Sequence, residues 1–509
     1  MNNCIYTDII LSKTGIQIPL LKSGKTVDSR YDPQKESLRQ LEQIKSDSHF
    51  LIILGIASGV LIKTIIENKK DVFILAVETN EEDLEFLKKL EIIQELYSKK
   101  NIEFCTLEML ENKIIDLYVP AFYGNLQVIE QRGWTTENQD CIKTINNAIN
   151  KAAGIVSADY SVQCHFGKIW HHNILSNLLH LDKQNTIENF PTQKTAVIIA
   201  AGPTIDKTIK SIMENKNEYY IIATDTAFSI LNSYNIIPQV VVSIDGQNIS
   251  RTHFIHNSQT DYSQTLFLFD LCANSSAVQK IINCKGKLNF FTSGHPFCEF
   301  INSHFSAGLP SLFSGAGTVT ISAVDFAVKA GFKNIIVAGA DFSYSNGKPY
   351  AKGTYLDSLY NQNANKLDSI QKKFSALQYR TQLIYKPDSY TTQILEAYKT
   401  SFEQFLQNNN FDFVKENDVY KIICTKNTPT LKFIKNNNIN GKQILQELQN
   451  LYKNKDKTKT FNSIFDLTQS DISLLPLISW LRNHDNKERS DFNYFYEKAL
   501  LIYTGLGGN

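Results

Sequence analysis

A polar segment that carries two tyrosines, residues 339–354, contains the side chains best suited to chemistry in this chain. It directly follows Asn334–Ala338, whose run of isoleucine and valine is typical of a buried parallel strand. In open α/β sheets, ligands bind in the crevice beyond the carboxyl ends of the strands, which is where Asp341, Tyr344 and Tyr350 would lie. We therefore predict that this segment forms the first candidate site.

A glycine-rich segment before that strand is suited to binding phosphate. Residues 314–320 read Ser-Gly-Ala-Gly-Thr-Val-Thr and begin an amphipathic pattern that extends to residue 330. The free backbone N–H groups and the dipole at the start of a helix favour an anion. Together with the tyrosine segment, this helix start predicts a pocket for a nucleotide or a nucleotide sugar.

Polar residues also follow the other predicted strands of this region, which alternates strands and helices like a doubly wound parallel sheet. The strand ends carry Gly202, Pro203, Thr204, Asp225, Asp245 and Asp341. Gly202 would let a phosphate approach the backbone, Pro203 suits a first helical turn, and Thr204 can cap the helix or donate its hydroxyl. Because an Asp or Thr after a strand is more often a helix cap than a catalyst, the prediction depends on the ends converging on one crevice.

The strand-end aspartates allow a second chemistry. Asp225 and Asp245 could hold Mg²⁺ against a triphosphate, because Mg²⁺ prefers one or two carboxylates together with phosphate oxygens. The sequence lacks the P-loop pattern, a kinase-like glycine loop and a Gly-x-Ser-x-Gly elbow. Phosphoryl transfer with a metal therefore stays an alternative.

The length of 509 residues is too great for one core and predicts two to four domains, of which we expect three. We place a Rossmann-like domain with a linker helix at 1–190, a catalytic doubly wound domain at 191–430 and a small helical domain at 431–509. The predicted fold class is therefore α/β with a helical C-terminal domain.

The first domain contains a unit of strand, glycine turn, helix and strand that ends in Glu78. Gly55 and Gly59 would permit the turn, and Glu78 could accept hydrogen bonds from a ribose. Only two glycines of the dinucleotide-binding pattern are present, with Ala57 between them. We expect a structural or degenerate unit rather than a working cofactor site.

Composition argues against several classes of function. With 52 Lys and Arg against 51 Asp and Glu, the net charge is +1, so no long-range field attracts nucleic acid. The N-terminus lacks a secretory signal. The most apolar stretch, 50–62, is shorter than the ~20 residues of a membrane span. We therefore expect a cytoplasmic protein. The eight cysteines contain no Cys-x-x-Cys pair, and His171 and His172 would diverge on a helix, so we expect no metal site.

Four stretches together resemble the core of the motility-associated factor (Maf) proteins, which are flagellin glycosyltransferases of bacteria. They are residues 197–206, 222–228, 237–247 and 331–342. The resemblance extends upstream to 29–36 and covers roughly residues 20–425. Each stretch alone is common, whereas the combination is specific. It implies a CMP-activated sugar as the donor, flagellin as the acceptor and no required cofactor.

The same core is similar to bacterial sialyltransferases, in which two tyrosines after a strand end bind the donor phosphate and assist the departure of CMP. Tyr344 and Tyr350 match that pair, including the Asn346-Gly347 between them. Phenol hydroxyls can stabilise charge on a leaving phosphate without a metal. The resemblance also implies that the 202–204 turn cradles the nucleotide, with two threonines of the glycine-rich helix start nearby. The predicted binding residues are therefore Gly202, Pro203, Thr204, Asp225, Asp245, Thr318, Thr320 and Asp341.

The sequence departs from the sialyltransferases at their catalytic histidine, which precedes a late helix. Residues 387–392 contain no histidine, so Asp388 is our candidate base, and capping of a helix at 391–406 is its alternative role. The histidines of other loops are His253, His256, His295 and His304. Among these, His295 is the one to test next.

We therefore predict a cytoplasmic, inverting-type glycosyltransferase that moves a nonulosonic acid of the pseudaminic or legionaminic kind from CMP to Ser or Thr of flagellin. Its predicted catalytic residues are Tyr344, Tyr350 and Asp388. Two alternatives stay open: a pterin diphosphokinase-like enzyme that uses ATP and Mg²⁺, and a flagellin-binding protein without catalysis. The expected partners are flagellin and the CMP-sugar, without nucleic acid or a membrane span.

Overall fold

The chain forms two compact units. The computed structural model describes residues 4–254, 261–315, 317–345, 348–362, 364–387, 389–425, 431–434, 440–485 and 491–505. One unit consists of residues 1–168 with 451–509, and the other of residues 169–450. This division groups the C-terminal helices with the N-terminal residues, whereas we predicted three domains with boundaries at 190–191 and 430–431.

The described residues of the first unit form a small antiparallel pair and a four-stranded parallel sheet, with the order β5-β4-β3-β6. The strands are β1 Tyr6–Leu11, β2 Gln17–Leu21, β3 Ser48–Leu54, β4 Phe73–Glu78, β5 Ile102–Thr106 and β6 Asn125–Glu130. Every residue of β4 is buried, as is typical of a parallel strand that is covered on both faces. This sheet is the Rossmann-like unit that the sequence predicts.

Helices alternate with these strands. They are α1 Pro33–Leu41, α2 Val60–Asn68, α3 Glu81–Leu87, α4 Glu91–Leu96, α5 Leu110–Leu117, α6 Pro120–Tyr123, α7 Arg132–Glu137 and α8 Gln139–Leu178. Helix α8 has 40 residues and continues from the first unit into the second, whose first residue is Ile169. A short 3-10 helix, Leu181–Lys183, follows it.

The second unit alternates strands and helices, as predicted. Its strands are β7 Thr195–Ile199, β8 Tyr219–Thr224, β9 Val240–Ser243, β10 Leu266–Asp270, β11 Lys287–Phe291, β12 Asn334–Ala338, β13 Ile384–Lys386, β14 Ser389–Thr391, β15 Asp412–Glu416 and β16 Val419–Ile423. Its helices are α9 Ile205–Glu214, α10 Asp225–Ser233, the 3-10 helix Asn248–Phe254, α11 Ser275–Asn283, α12 Pro296–His304, α13 Val319–Lys329, α14 Tyr355–Gln362, α15 Ile370–Gln378, α16 Gln393–Asn408 and α17 Gly441–Lys453.

The described strands of this unit form an eight-stranded sheet with the order β11-β10-β9-β8-β7-β12-β16-β15. The chain starts at β7, extends outward to β11, and then returns to the other side of β7 as β12, which is parallel to it. The carboxyl ends of β7 and β12 therefore flank the point at which strand order reverses. Ligands of doubly wound sheets bind at this point.

The last helices belong to the first unit. They are the 3-10 helix Ile464–Asp466, α18 Gln469–Ile472, α19 Leu475–His484 and α20 Phe492–Gly505. Arg482 of α19 donates from Nη1 to the carbonyl of Ala121 at 2.9 Å, and the ring of Phe492 lies 4.4 Å from that of Phe122. Among the helices of the described residues, none has both the length and the apolar character needed to cross a membrane.

Candidate active site

The loops after β7 and β12 touch at the reversal point of the sheet. The backbone N–H of Gly202 donates to the carbonyl of Gly339 at 2.8 Å. A Cβ at residue 202 would lie 2.4 Å from that carbonyl oxygen, so the close approach of the loops requires glycine there. Gly202, which the sequence predicts to admit a phosphate, thus allows the close contact between the ends of two strands in this structure.

Asp341 uses its carboxylate to tie these loops together. It accepts a hydrogen bond from the backbone N–H of Thr204 at 2.8 Å and another from the Thr204 hydroxyl. Burial raises the pKa of Asp341, although the bonds from Thr204 oppose that rise. A carboxylate therefore occupies the start of α9, and a phosphate would have to displace it or bind beside it.

Asp225, at the end of β8, is buried and fully hydrogen-bonded. Ser243 donates from its hydroxyl to Oδ2 at 2.7 Å, and the backbone N–H of Thr226 donates to Oδ1 at 2.7 Å. Burial disfavours the carboxylate, but the nearby His253 and the hydrogen bonds outweigh it and hold the pKa of Asp225 below its ordinary value. Asp225 therefore presents a fixed negative charge at the crevice.

His253 is the site residue that we failed to single out from the sequence. It lies in the 3-10 helix after β9, with Nδ1 3.7 Å from Oδ1 of Asp225 and its ring 4.8 Å from the ring of Tyr355. Its Nδ1 is buried and has no hydrogen-bond partner among the described residues. A closer approach of about 0.5 Å would join the two as an Asp–His pair. No local pattern links residue 253 to residue 225, so only the fold reveals the pair.

The tyrosine segment is fixed at both ends. Tyr344 and Tyr390 exchange backbone hydrogen bonds of 2.6 and 2.8 Å, and Ala351 donates from its N–H to the carbonyl of Ala201 at 2.9 Å. Phe342 begins the turn with a φ of 50°, which is unusual for a bulky side chain. Asn346 and Gly347, part of the predicted match, lie outside the described residues.

A tyrosine–aspartate cluster, which we define as Asp225, Asp245, Tyr350, Tyr355 and Tyr398, occupies the crevice. Burial raises the pKa of Tyr350, and the neighbouring tyrosines and Asp225 raise it further. Burial also raises the pKa of Asp245, which accepts a 2.8 Å hydrogen bond from the N–H of Gln247. The phenols therefore stay neutral donors beside the ionised carboxylate of Asp225.

The two threonines of the glycine-rich segment stand at the start of α13. Thr318 precedes the helix and Thr320 is buried within it; in the described residues, no hydrogen bond joins either of them to the cluster. A Cβ added at residue 315 would lie 2.8 Å from Oγ of Ser401. Ser401 stands one helical turn after Tyr398 on α16. The glycine-rich segment thus packs on the helix that supplies one cluster tyrosine.

Asp388 lies outside the described residues, so its role as the base stays a prediction. Its alternative role as the cap of the late helix is wrong. The helix begins at Gln393, and Thr392 caps it by accepting a 3.2 Å hydrogen bond from the N–H of Leu395.

The predicted histidines take different places. His171 is buried and stacks on Phe297 with ring centres 4.8 Å apart, and burial lowers its pKa to about 3, whereas His172 is exposed. His295 accepts a 3.2 Å hydrogen bond from the N–H of Phe297, and burial lowers its pKa to about 3. His295 follows β11, at the edge of the sheet far from β12 in strand order, and so is not part of the crevice.

In the first unit, protein side chains occupy the position next to Glu78 at which a ribose could bind in a working Rossmann domain. Glu78 is fully buried, and its carboxylate accepts hydrogen bonds from the Ile56 N–H at 2.7 Å, the Tyr6 hydroxyl at 2.9 Å and Nε1 of Trp134 at 2.7 Å. A Cβ at Gly55 would lie 2.5 Å from the Trp134 side chain. These contacts agree with the structural interpretation that we favoured.

Comparison with known proteins finds a family model that matches part of the second unit. Residues 172–347 match the family described as 6-hydroxymethylpterin diphosphokinase MptE-like. An uncharacterised protein of Treponema pallidum (strain Nichols) is 35% identical over 175 residues, which is 33% of this chain and 60% of that protein, less than two thirds of its length. A second one is 35% identical over 145 residues, which is 28% of this chain and 69% of that protein.

One solved structure resembles the whole chain. It is the Maf glycosyltransferase from Magnetospirillum magneticum AMB-1, which is 11% identical, with a TM-score of 0.52 over 98% of this chain and 85% of the other. The Maf-like α/β fold expected from the sequence is therefore confirmed. This chain belongs to the same family as the second Treponema pallidum protein, and it has the fold of a Maf glycosyltransferase.

Proposed function

We propose that this protein is a glycosyltransferase that moves a nonulosonic acid, of the pseudaminic or legionaminic kind, from a CMP donor to Ser or Thr hydroxyls of flagellin. One observation carries the proposal: the Tyr344–Tyr350 segment leaves β12 at the reversal point of the sheet, beside the Asp225–His253 pair. The fold shared with a Maf glycosyltransferase supports it.

The tyrosines suit the departure of CMP. As the bond between the sugar and the phosphate breaks, negative charge grows on the phosphate oxygens. The raised pKa values of Tyr344 and Tyr350 keep their hydroxyls protonated, so that each can donate a hydrogen bond to that charge. This chemistry requires no metal and agrees with the expectation that no cofactor is needed.

The Asp–His pair suits activation of the acceptor. A serine or threonine hydroxyl must lose its proton as its oxygen attacks the sugar, and a base within hydrogen-bond reach speeds this step. His253 faces Asp225 through Nδ1, which leaves Nε2 as the nitrogen that takes the proton. The charge of Asp225 would stabilise the imidazolium that forms. We propose His253 as the base in preference to Asp388.

The partner and the place of action are part of the same proposal. Flagellin is the acceptor, and transfer takes place in the cytoplasm, where CMP-activated sugars are available. The proposal for flagellin rests on the resemblance to the Maf proteins, since no surface formed by the described residues identifies this acceptor by its chemistry.

The match to the pterin diphosphokinase-like family supports a second candidate, an enzyme that uses ATP and Mg²⁺. Asp225 and Asp245 would then hold the cation. Both oxygens of Asp225 already accept hydrogen bonds, from Ser243 and from Thr226, so a cation would have to share this carboxylate with those donors. This observation favours the CMP-sugar proposal.

Calorimetric titration of the purified protein with CMP and with ATP, each in EDTA and in Mg²⁺, tests these candidates. CMP binding that persists in EDTA would support the glycosyltransferase. ATP binding that requires Mg²⁺ would favour the diphosphokinase, and no binding of either would favour a flagellin-binding protein without catalysis. Tyr379→Phe, a change at an exposed tyrosine of the same unit, serves as the matched control for variants of the tyrosine segment.

A further inference from the structure

A second cluster of reactive side chains lies at the ends of β10 and β11. Cys272 follows β10, His295 directly precedes α12, and Cys298 lies in the first turn of α12. The potential ligand atoms of these three side chains all lie within 4.8 Å of one another, and the two sulfurs are 3.5 Å apart. We call this the Cys–His–Cys cluster. In the sheet it lies on the β11 side, away from β12.

Two buried polar atoms at or beside this cluster lack a hydrogen-bond partner in the part of the chain that the structure describes. Nε2 of His295 is buried and finds no partner among the described residues, while Nδ1 accepts the hydrogen bond from the Phe297 N–H. Oδ2 of Asp270 is also buried and has no partner within the described ranges, although Oδ1 accepts a 2.8 Å hydrogen bond from the N–H of Cys272. Because buried polar groups are nearly always satisfied, two such atoms beside two thiols indicate a missing partner.

The geometry suits a metal better than a disulfide. Two sulfurs that bind one tetrahedral zinc ion, each at about 2.3 Å, are about 3.8 Å apart. A disulfide bond would bring them to about 2 Å. The observed 3.5 Å is close to the first value. Thiolate and imidazole ligands select zinc over Mg²⁺ or Ca²⁺, which prefer oxygen ligands.

Hydrogen bonds from α8 also hold the backbone next to the cluster. Asn173 of α8 donates from Nδ2 to the carbonyl of Cys272 at 3.1 Å, and Asn177 donates to those of Leu271 and Ala273 at 2.9 and 2.8 Å. The turn that carries Cys272 is therefore held by two buried amides. Such external support is typical of metal sites, whose ligands must be fixed before the ion binds.

We propose that Cys272, His295 and Cys298 bind a divalent zinc-type cation. Binding releases the two thiol protons to solvent and moves the imidazole proton from Nε2 to Nδ1, so that Nε2 can ligate the metal. The hydrogen bond from the Phe297 N–H, which at 3.2 Å is long, is then given up. The ion ties the ends of β10 and β11 to α12. This site revises the expectation of no metal that cysteine spacing suggested.

Metal analysis of the full chain tests the site. We expect about one zinc ion per chain in protein purified without chelators, and at least ~10-fold less in Cys298→Ser. Cys424→Ser removes another buried cysteine of the same unit and should keep the metal. Titration of chelator-treated, reduced wild-type protein with Co²⁺ should give the thiolate-to-cobalt absorption and the visible bands of a tetrahedral site.

The Co²⁺ spectrum of the wild type decides the question even where Cys298→Ser fails to fold. Wild-type protein that contains no zinc and gives no thiolate-to-cobalt band would overturn the proposal. Intact-mass analysis that finds Cys272 and Cys298 joined by a disulfide in freshly purified protein would overturn it as well. Equal zinc content in Cys424→Ser and Cys298→Ser would assign the metal to another place.

Discussion

Tyr350 combines a neutral hydroxyl with a position beside the strand-end aspartates. If it donates to the leaving phosphate, Tyr350→Phe should lower transfer from the CMP-sugar to flagellin by about 10²-fold, the usual effect of removing one transition-state donor. CMP affinity in the calorimeter should change little, because the other contacts remain. The exposed control Tyr379→Phe should transfer at the wild-type rate. Unchanged transfer by Tyr350→Phe would remove this hydroxyl from the mechanism.

His253 makes a second prediction at the scale of single residues. Loss of a general base usually costs ~10²- to 10⁴-fold, so His253→Asn should reduce transfer by that order while CMP still binds. His172→Asn changes an exposed histidine of the same unit and should keep the wild-type rate. Transfer at the wild-type rate by His253→Asn would reject the assignment.

Single residues also differ in how well the sequence predicts them. Tyr344, Tyr350 and the strand-end aspartates follow from local pattern, because a strand, its end and the loop after it are adjacent in the chain. The pairing of His253 with Asp225 joins residues that only the fold of β8 and β9 brings together. The same holds for Cys272 and Cys298, whose spacing matches no metal motif. Contacts of this kind depend on tertiary structure and leave no local signal.

At the scale of elements, the unit of β3, α2 and β4 keeps a Rossmann-like form while its acidic end has become part of the core. Asp28 accepts a 2.9 Å hydrogen bond from the N–H of Ser58, and Glu78 is enclosed by its own three donors. Burial raises the pKa of each carboxyl to about 7. The sequence predicted the strands and the turn, but Trp134 and Tyr6, which fill the place of a ligand, are distant in the chain.

The raised pKa values predict how the stability of the first unit depends on pH. Because folded Glu78 holds its proton more tightly than the unfolded chain does, the free energy of unfolding is greatest below its ordinary pKa of 4.5 and falls as pH rises to about 7. This difference in pKa corresponds to about 3 kcal/mol. Glu78→Gln cannot ionise, so urea titrations should show a weaker decrease with pH than in the wild type.

The matched control for this experiment is Glu81→Gln, at an exposed carboxylate of the next helix, α3. It should keep the wild-type pH dependence. Asp28 remains in both variants and contributes its own decrease over the same range, since its pKa rises from 3.8 to about 7. If Glu78→Gln and wild type lost stability in parallel from about pH 4.5 to 7, Glu78 would not be the group that titrates.

At the scale of the whole molecule, the order of strands and helices was predictable and the grouping of the units was not. The second unit follows the alternation of strand and helix that the sequence shows, and the returning strand β12 completes the crevice. The sequence shows apolar faces in the helices after residue 451. It does not show which surface covers those faces. In the structure, Ile464 donates from its N–H to the hydroxyl of Tyr123 at 3.2 Å, within the first unit.

The division of the chain into two compact units leads to a prediction for the ligand-bound protein. A ligand stabilises the unit that binds it by about 2.7 kcal/mol at a concentration of 100 times Kd. Hydrogen exchange with and without CMP should therefore slow in residues 169–450, most of all around β7, β8 and β12, and stay unchanged in β3 and β4. Because Glu78 and Trp134 already fill the ligand position of the first unit, slower exchange confined to β3 and β4 would contradict this account and assign nucleotide binding to the Rossmann-like sheet.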